Sequence, residues 1–228
     1  MNYLLVGSSS AIAQDVHQQL KNDGHSVWTI SRNHELKGEK HATCNVTSED
    51  FPKDFLPEEL HGLVYFPGTI ILKPFNRIAI DEFISDYTIN VLGAVKSIQA
   101  TLPALKKGNA SVVLISSVAA QKGLSYHASI ASSKAALEGL SRSLAAEYAP
   151  VIRFNVVAPS ITDTPLANKL LNTEDKKMLS GKRHPLARIG ETSDIANSIL
   201  FLLSKKSSWV TGQTFAVDGG MSTLNVYN

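Results

Sequence analysis

Several residues in this chain have side chains and spacings suited to chemistry. The turn Gly7-Ser8-Ser9-Ser10-Ala11-Ile12-Ala13 follows a short apolar run. Small residues that lead into a helix aim backbone N–H groups at one point, which suits a phosphate. With one glycine, the stretch reads equally as a tight turn with a serine helix cap. Farther on, Ser117, Tyr126, His127 and Lys134 bring hydroxyl, imidazole and amine groups into one stretch. A histidine titrates near neutrality and is a competent general acid, although a lone one at a helix start also reads as solvent-facing. The seven histidines are scattered, with no His or Cys cluster at metal-ligand spacing. There is no Gly-x-Ser-x-Gly elbow for serine-hydrolase chemistry.

Short apolar runs that alternate with helix-period segments must position these groups. Strands are predicted at Tyr3–Val6, Ser26–Ile30, His41–Val46, Gly62–Phe66, Ser111–Ile115, Val151–Val157 and Thr214–Val217. Helices are predicted at Ala11–Asn22, Asp81–Lys107, Ile130–Tyr148 and Ile195–Leu203, the first closed by Asp23-Gly24. Strands separated by helices imply βαβ units and a parallel sheet covered on both faces. Leu4-Leu5-Val6 and Val112-Val113-Leu114-Ile115 fit strands buried on both sides. The expected fold is therefore α/β: a Rossmann-type doubly wound parallel sheet, three-layer α/β/α, of about seven strands. Residues 1–228 are expected to form one domain, with a shortened connection between Ser31 and His41.

Composition narrows the function classes. With 228 residues, 43% hydrophobic and 18% charged, the chain can bury a sizeable core. Its 22 Lys and Arg against 20 Asp and Glu leave a charge of +2, with no basic block for nucleic acid or a membrane surface. Cys44 is the only cysteine, so no intrachain disulfide forms and a reducing compartment is expected. The opening apolar run is too short for a signal peptide, and no run is long enough to span a membrane. A soluble, cytoplasmic protein is the expectation.

In order along the chain, these residues resemble the short-chain dehydrogenase/reductase family. The first turn is similar to its Gly-x-x-x-Gly-x-Gly loop, with Ala11 and Ala13 at the second and third glycine places. Asn45-Val46 resembles the Asp-Val that holds adenine, and Tyr65-Phe66-Pro67-Gly68 stands where Asn-Asn-Ala-Gly is usual. Asn90, the Ile115-Ser116-Ser117 motif and Lys134 match the family's asparagine, serine and lysine. Pro159-Ser160 resembles its Pro-Gly segment, and Thr164 its carboxamide-binding threonine. Pro185-Leu186-Ala187-Arg188-Ile189-Gly190 and Val217-Asp218-Gly219-Gly220 resemble its C-terminal signature.

The resemblance implies a dinucleotide held by Gly7, Ser9, Ser10, Ile12, Ser31, Arg32, Asn45, Val46, Gly68, Lys134, Pro159, Ile161 and Thr164. An NAD site usually carries a carboxylate at the end of the second strand, for the ribose 2′-OH. Here that place holds Ser31, followed by Arg32. A guanidinium grips a 2′-phosphate with paired bonds, which favours NADP(H) over NAD(H). An ordinary solvated Arg32 is the alternative, and Ser10 stands where many relatives have a second basic residue.

The implied catalytic set is Asn90, Ser117 and Lys134, but four residues before Lys134 the usual tyrosine acid is Ile130. Isoleucine cannot donate a proton. Three readings follow. Tyr126 or His127 donates instead; related enoyl reductases carry their tyrosine seven places before the lysine, where His127 stands. Alternatively, water or Ser117 serves, at a cost of about 10²–10⁴ in rate. Or the chain is a catalytically weak or inactive dinucleotide-binding sensor or scaffold. The preferred reading is an oxidoreductase that interconverts a carbonyl and an alcohol on a small or medium apolar substrate.

A substrate lid is expected near 160–184, with Leu166, Leu170, Leu171 and Met178 as its apolar residues. Tyr65 and Phe66 are expected to make the cofactor wall bulkier. Leu137, Leu140, Leu144 and Tyr148 form an apolar stripe for core or subunit contact. Ala131, Ala135, Ala136 and Gly139 would permit close helix packing, and a homo-oligomer is expected, tetramer before dimer.

Overall fold

The structure, a computed structural model, describes residues 1–32 and 40–225. Seven parallel strands form one sheet in the order β3-β2-β1-β4-β5-β6-β7. These are β1 (Asn2–Val6), β2 (Ser26–Ser31), β3 (His41–Thr43), β4 (Gly62–Tyr65), β5 (Ser111–Ile115), β6 (Arg153–Pro159) and β7 (Thr214–Val217). The order reverses between β1 and β4, which opens a crevice beyond the carboxyl ends of those strands. Val6 is level with Ile30 and Tyr65, and Tyr65 with Leu114, so the turns after β1, β2, β4 and β5 share one edge.

The period-two alternation of strand side chains explains why these strands are apolar throughout. Leu4, Val6, Leu63, Tyr65, Val112 and Leu114 face one core. Tyr3, Leu5, Val64 and Val113 face the other. Helices α1 (Ala11–Asn22) and α7 (Thr192–Leu203) cover the second face. Helices α3 (Gly93–Lys107) and α4 (Ala128–Tyr148) cover the first, preceded by α2 (Ile80–Tyr87). Two short helices, α5 (Asn168–Leu171) and α6 (Glu174–Gly181), lie in the region expected to form a lid. The stripe Leu137, Leu140, Leu144 and Tyr148 packs into the first core.

Several expected boundaries move. The helix expected over Asp81–Lys107 is interrupted by a π turn at Thr88–Leu92, between α2 and α3. Polar side chains there take up carbonyl groups of the helix. The Asn90 Nδ2 donates to Asp86 O at 2.8 Å, and the Tyr65 hydroxyl donates to Ile89 O at 2.6 Å. Gly93 provides the clearance, since a Cβ there would lie 2.0 Å from the Tyr65 hydroxyl oxygen. β3 stops at Thr43, short of Val46, because Asn45 folds into an Asx turn that accepts from Thr47 N at 3.2 Å. β6 begins at Arg153 rather than Val151, as Val151 N closes a turn onto Tyr148 O. The stretch 33–39 of the connection expected to be short lies outside the described residues.

Candidate active site

A cavity of about 960 Å³ opens at the crevice between β1 and β4. At one end is the turn after β1. Gly7 has φ +81°, and a Cβ there would meet Pro67 Cδ at 2.7 Å, so the turn requires glycine. Ser10 makes no side-chain cap bond at the start of α1. The helix therefore presents its first-turn amides to the cavity, where Ser9, Ser10, Ala11 and Ile12 form the wall. A sidewall carries Ser31, Arg32, Asn45 and Val46, with Ser31 buried and Arg32 exposed. Pro159, Ile161 and Thr164 approach from the end of β6, and Thr164 caps the short helical turn Pro165–Ala167.

At the far end, β5 and α4 supply the polar groups. Ser117 lines the cavity while its Oγ accepts from Ala119 N at 3.2 Å. Lys134 is only 6% exposed, and its Nζ donates to Ile115 O at 2.7 Å. Ile130 lies one turn before it on α4, also buried and against the cavity. His127 lines the same space at the start of α4. Its Nδ1 sits 2.7 Å from Ser125 O, so that nitrogen carries the proton and Nε2 is the atom left for a ligand.

Two expected residues stand apart. Tyr126 is 60% exposed, with φ +70°, and does not line the cavity. Asn90 lies fully buried behind the wall, bonded through Nδ2, while its Oδ1 has no hydrogen-bond partner. The expected bulky wall holds for Phe66 alone. Tyr65 turns into the core, where burial pushes its phenol well above its ordinary range.

Sequence reasoning missed Ser160 with His184, and Thr69 with Asp86. Ser160 Oγ lies 2.8 Å from His184 Nε2, whose Nδ1 meets Ser180 O at 2.8 Å. That pair ties the end of β6 to α6. No sequence signal marks Asp86, which stands out only by its full burial on α2, four residues before Asn90.

These residues fit a dinucleotide. A Cβ on Gly68 would lie 3.2 Å from both Lys134 Nζ and Asn90 Oδ1, so glycine leaves a cradle between a cation and an unpaired acceptor. The uncapped turn of α1 suits the pyrophosphate at the opposite end.

Burial brings the Lys134 amine down to about 8, against the opposing field of Asp86. Unfolded chain keeps the ordinary value near 10.5, so between these values it binds a proton the fold has lost. Stability of the ligand-free fold therefore rises with pH through this window. The contribution is about 2 kcal/mol between about pH 7.5 and about pH 10. Urea unfolding at both values reads it, and the rise is absent in Lys134→Met.

The comparisons with known proteins agree on the class. A family model described as enoyl-(acyl carrier protein) reductase matches residues 6–222. The chain belongs to the short-chain dehydrogenase/reductase family of oxidoreductases. A tropinone reductase homologue of Arabidopsis thaliana is 31% identical over 249 aligned positions, covering 100% of this chain and 92% of that protein. The ligand-free aldohexose dehydrogenase of Thermoplasma acidophilum superposes with a TM-score of 0.92 at 26% identity, over 100% of this chain and 96% of that one. A glucose/ribitol dehydrogenase from Brucella melitensis gives 0.89 at 28% identity, over 96% of each chain. Among the described residues, no helix is long and apolar enough to cross a membrane.

Proposed function

We propose that the protein is an NADP(H)-dependent oxidoreductase that interconverts a carbonyl and an alcohol on a small or medium apolar substrate. One observation carries this reading. A single cavity runs from the phosphate-suited turn at Gly7–Ile12 to Ser117, His127 and the buried amine of Lys134. Ser31 and Arg32 support the choice of NADP(H), since no carboxylate stands with them at the end of β2 among the described residues. The bound nicotinamide supplies or accepts the hydride. Lys134 holds a proton donor toward the ribose, Ser117 orients the substrate oxygen, and Asn90 backs Lys134 across Gly68.

The apolar substrate class rests on the lid region. Leu166 and Leu170 line the cavity, whereas Leu171 is buried in the fold and Met178 faces solvent. The proton donor is not residue 130. Of the two surrogates the sequence offered, His127 reaches the cavity and Tyr126 does not. The chain is further proposed to work in the cytoplasm as one domain and a homo-oligomer, tetramer before dimer, without nucleic-acid or membrane partners. Light scattering reads that assembly, and a monodisperse monomer of 24.6 kDa contradicts it.

A panel of carbonyl and alcohol substrates, followed through NADPH absorbance, tests the activity. Turnover on apolar carbonyls is the expected result. Dinucleotide binding without turnover on any of them would instead favour a binding protein, the second reading that Ile130 supports.

A further inference from the structure

Asp86 is a buried charge to which the reading above gives no task. It is fully buried on α2, and each carboxylate oxygen accepts a hydroxyl. Thr69 Oγ1 donates to Oδ1 at 2.5 Å, and Ser129 Oγ donates to Oδ2 at 2.5 Å. Thr69 also accepts from Asn90 Nδ2 at 3.1 Å, which fixes the direction of its own proton. Thr69 lines the cavity beside Gly68, and Ser129 directly precedes Ile130. Lys134 on α4 is the cation whose field reaches Asp86.

A carboxylate taken out of water is costly, and an apolar side chain would tie α2 to α4 without that cost. What a carboxylate adds is the capacity to take and return a proton through a hydroxyl. The chain places such a pair at the cavity whose usual tyrosine position is aliphatic.

We propose that Thr69 and Asp86 form the proton-exchange pair of this cavity, Thr69 Oγ1 meeting the substrate oxygen and Asp86 acting through it. The proposal rests on the carbonyl–alcohol reading and names Thr69 with Asp86, in place of His127, as its proton donor. In alcohol oxidation the substrate O–H bond breaks and its proton passes to Thr69 Oγ1. The threonine's own proton passes to Asp86 Oδ1, so the carboxylate becomes a neutral acid. In carbonyl reduction both transfers reverse, and the proton on Asp86 ends, through Thr69, on the substrate oxygen. Thr69 is unchanged over the cycle, and Asp86 exchanges its proton with water through the same hydroxyl when the cavity empties. The electron pair of the C–H bond is the dinucleotide's share.

The test compares the full chain with Thr69→Val, Thr69→Ser and Asp86→Asn. Thr69→Val keeps shape and removes the hydroxyl, so the result does not depend on whether Asp86→Asn folds. Expected for Thr69→Val is a fall in kcat of about 10²-fold, with KM and NADPH affinity unchanged. Thr69→Ser restores kcat, and Asp86→Asn matches the valine variant. A second readout needs no turnover. In the ligand-free protein, proton NMR should show a slowly exchanging hydroxyl signal, lost in Thr69→Val and displaced in Asp86→Asn. Wild-type kcat in Thr69→Val, a loss that Thr69→Ser fails to restore, or a missing hydroxyl signal overturns the relay. A wild-type chain that binds no dinucleotide overturns the functional reading instead, and the hydroxyl signal separates the two failures.

Discussion

Ile130→Tyr is expected to raise kcat by about 10²-fold, the low end of what a general acid contributes. Residue 130 lies four positions before Lys134 on α4, so the two side chains project from one face. Ile130 is 5% exposed and borders the cavity, which gives a larger ring room to extend. A phenol there meets the field of the buried Lys134 amine, and a nearby cation favours the phenolate, lowering its pKa. The gain stays at the low end because a second donor already serves the site. Ile130→Phe is the control: it fills the same space without a hydroxyl and brings no gain. Steady-state kcat on one substrate reads both variants. Equal rates in Ile130→Tyr and Ile130→Phe would show that Lys134 and Ser117 do not surround the substrate oxygen.

Ser31→Asp is expected to reverse the dinucleotide preference. Ser31 ends β2 and is 3% exposed, with Arg32 next to it on the cavity wall. A carboxylate at this place repels a 2′-phosphate and accepts a bond from a ribose 2′-OH. It also pairs with the Arg32 guanidinium, which then no longer serves the phosphate. One lost charge-assisted bond is worth about 1.5–3 kcal/mol, and the new repulsion adds to it. The NADPH to NADH affinity ratio should therefore fall by about 10²-fold. Parallel fluorescence titrations of both dinucleotides measure it. An unchanged ratio would place the adenosine ribose elsewhere.

Much of the scaffold was legible from residue pattern alone. Ala11–Asn22, Ser111–Ile115 and Thr214–Val217 form the elements expected, with the expected ends. Each is bounded by strong local signals, such as Asp23-Gly24 after the first helix. The π turn at Thr88–Leu92 was not legible, because it depends on Tyr65, which is distant in sequence and meets Ile89 only in the folded sheet. The same holds for Thr69 and Asp86. A serine or threonine after Gly68 and an aspartate in a helix are unremarkable until the fold brings them within 2.5 Å. Tyr126 shows the converse: it was a candidate donor in the sequence, but the chain at its left-handed φ of +70° leaves it at the surface.

The central claim is that the cavity between the Gly7 turn and Lys134 holds NADP(H). Equilibrium titration of the purified chain with NADPH and NADH, followed by nucleotide fluorescence, tests it most directly. NADPH should bind with a micromolar Kd, at least about tenfold tighter than NADH, the gap one charge-assisted bond supplies. Binding of neither dinucleotide would contradict the claim.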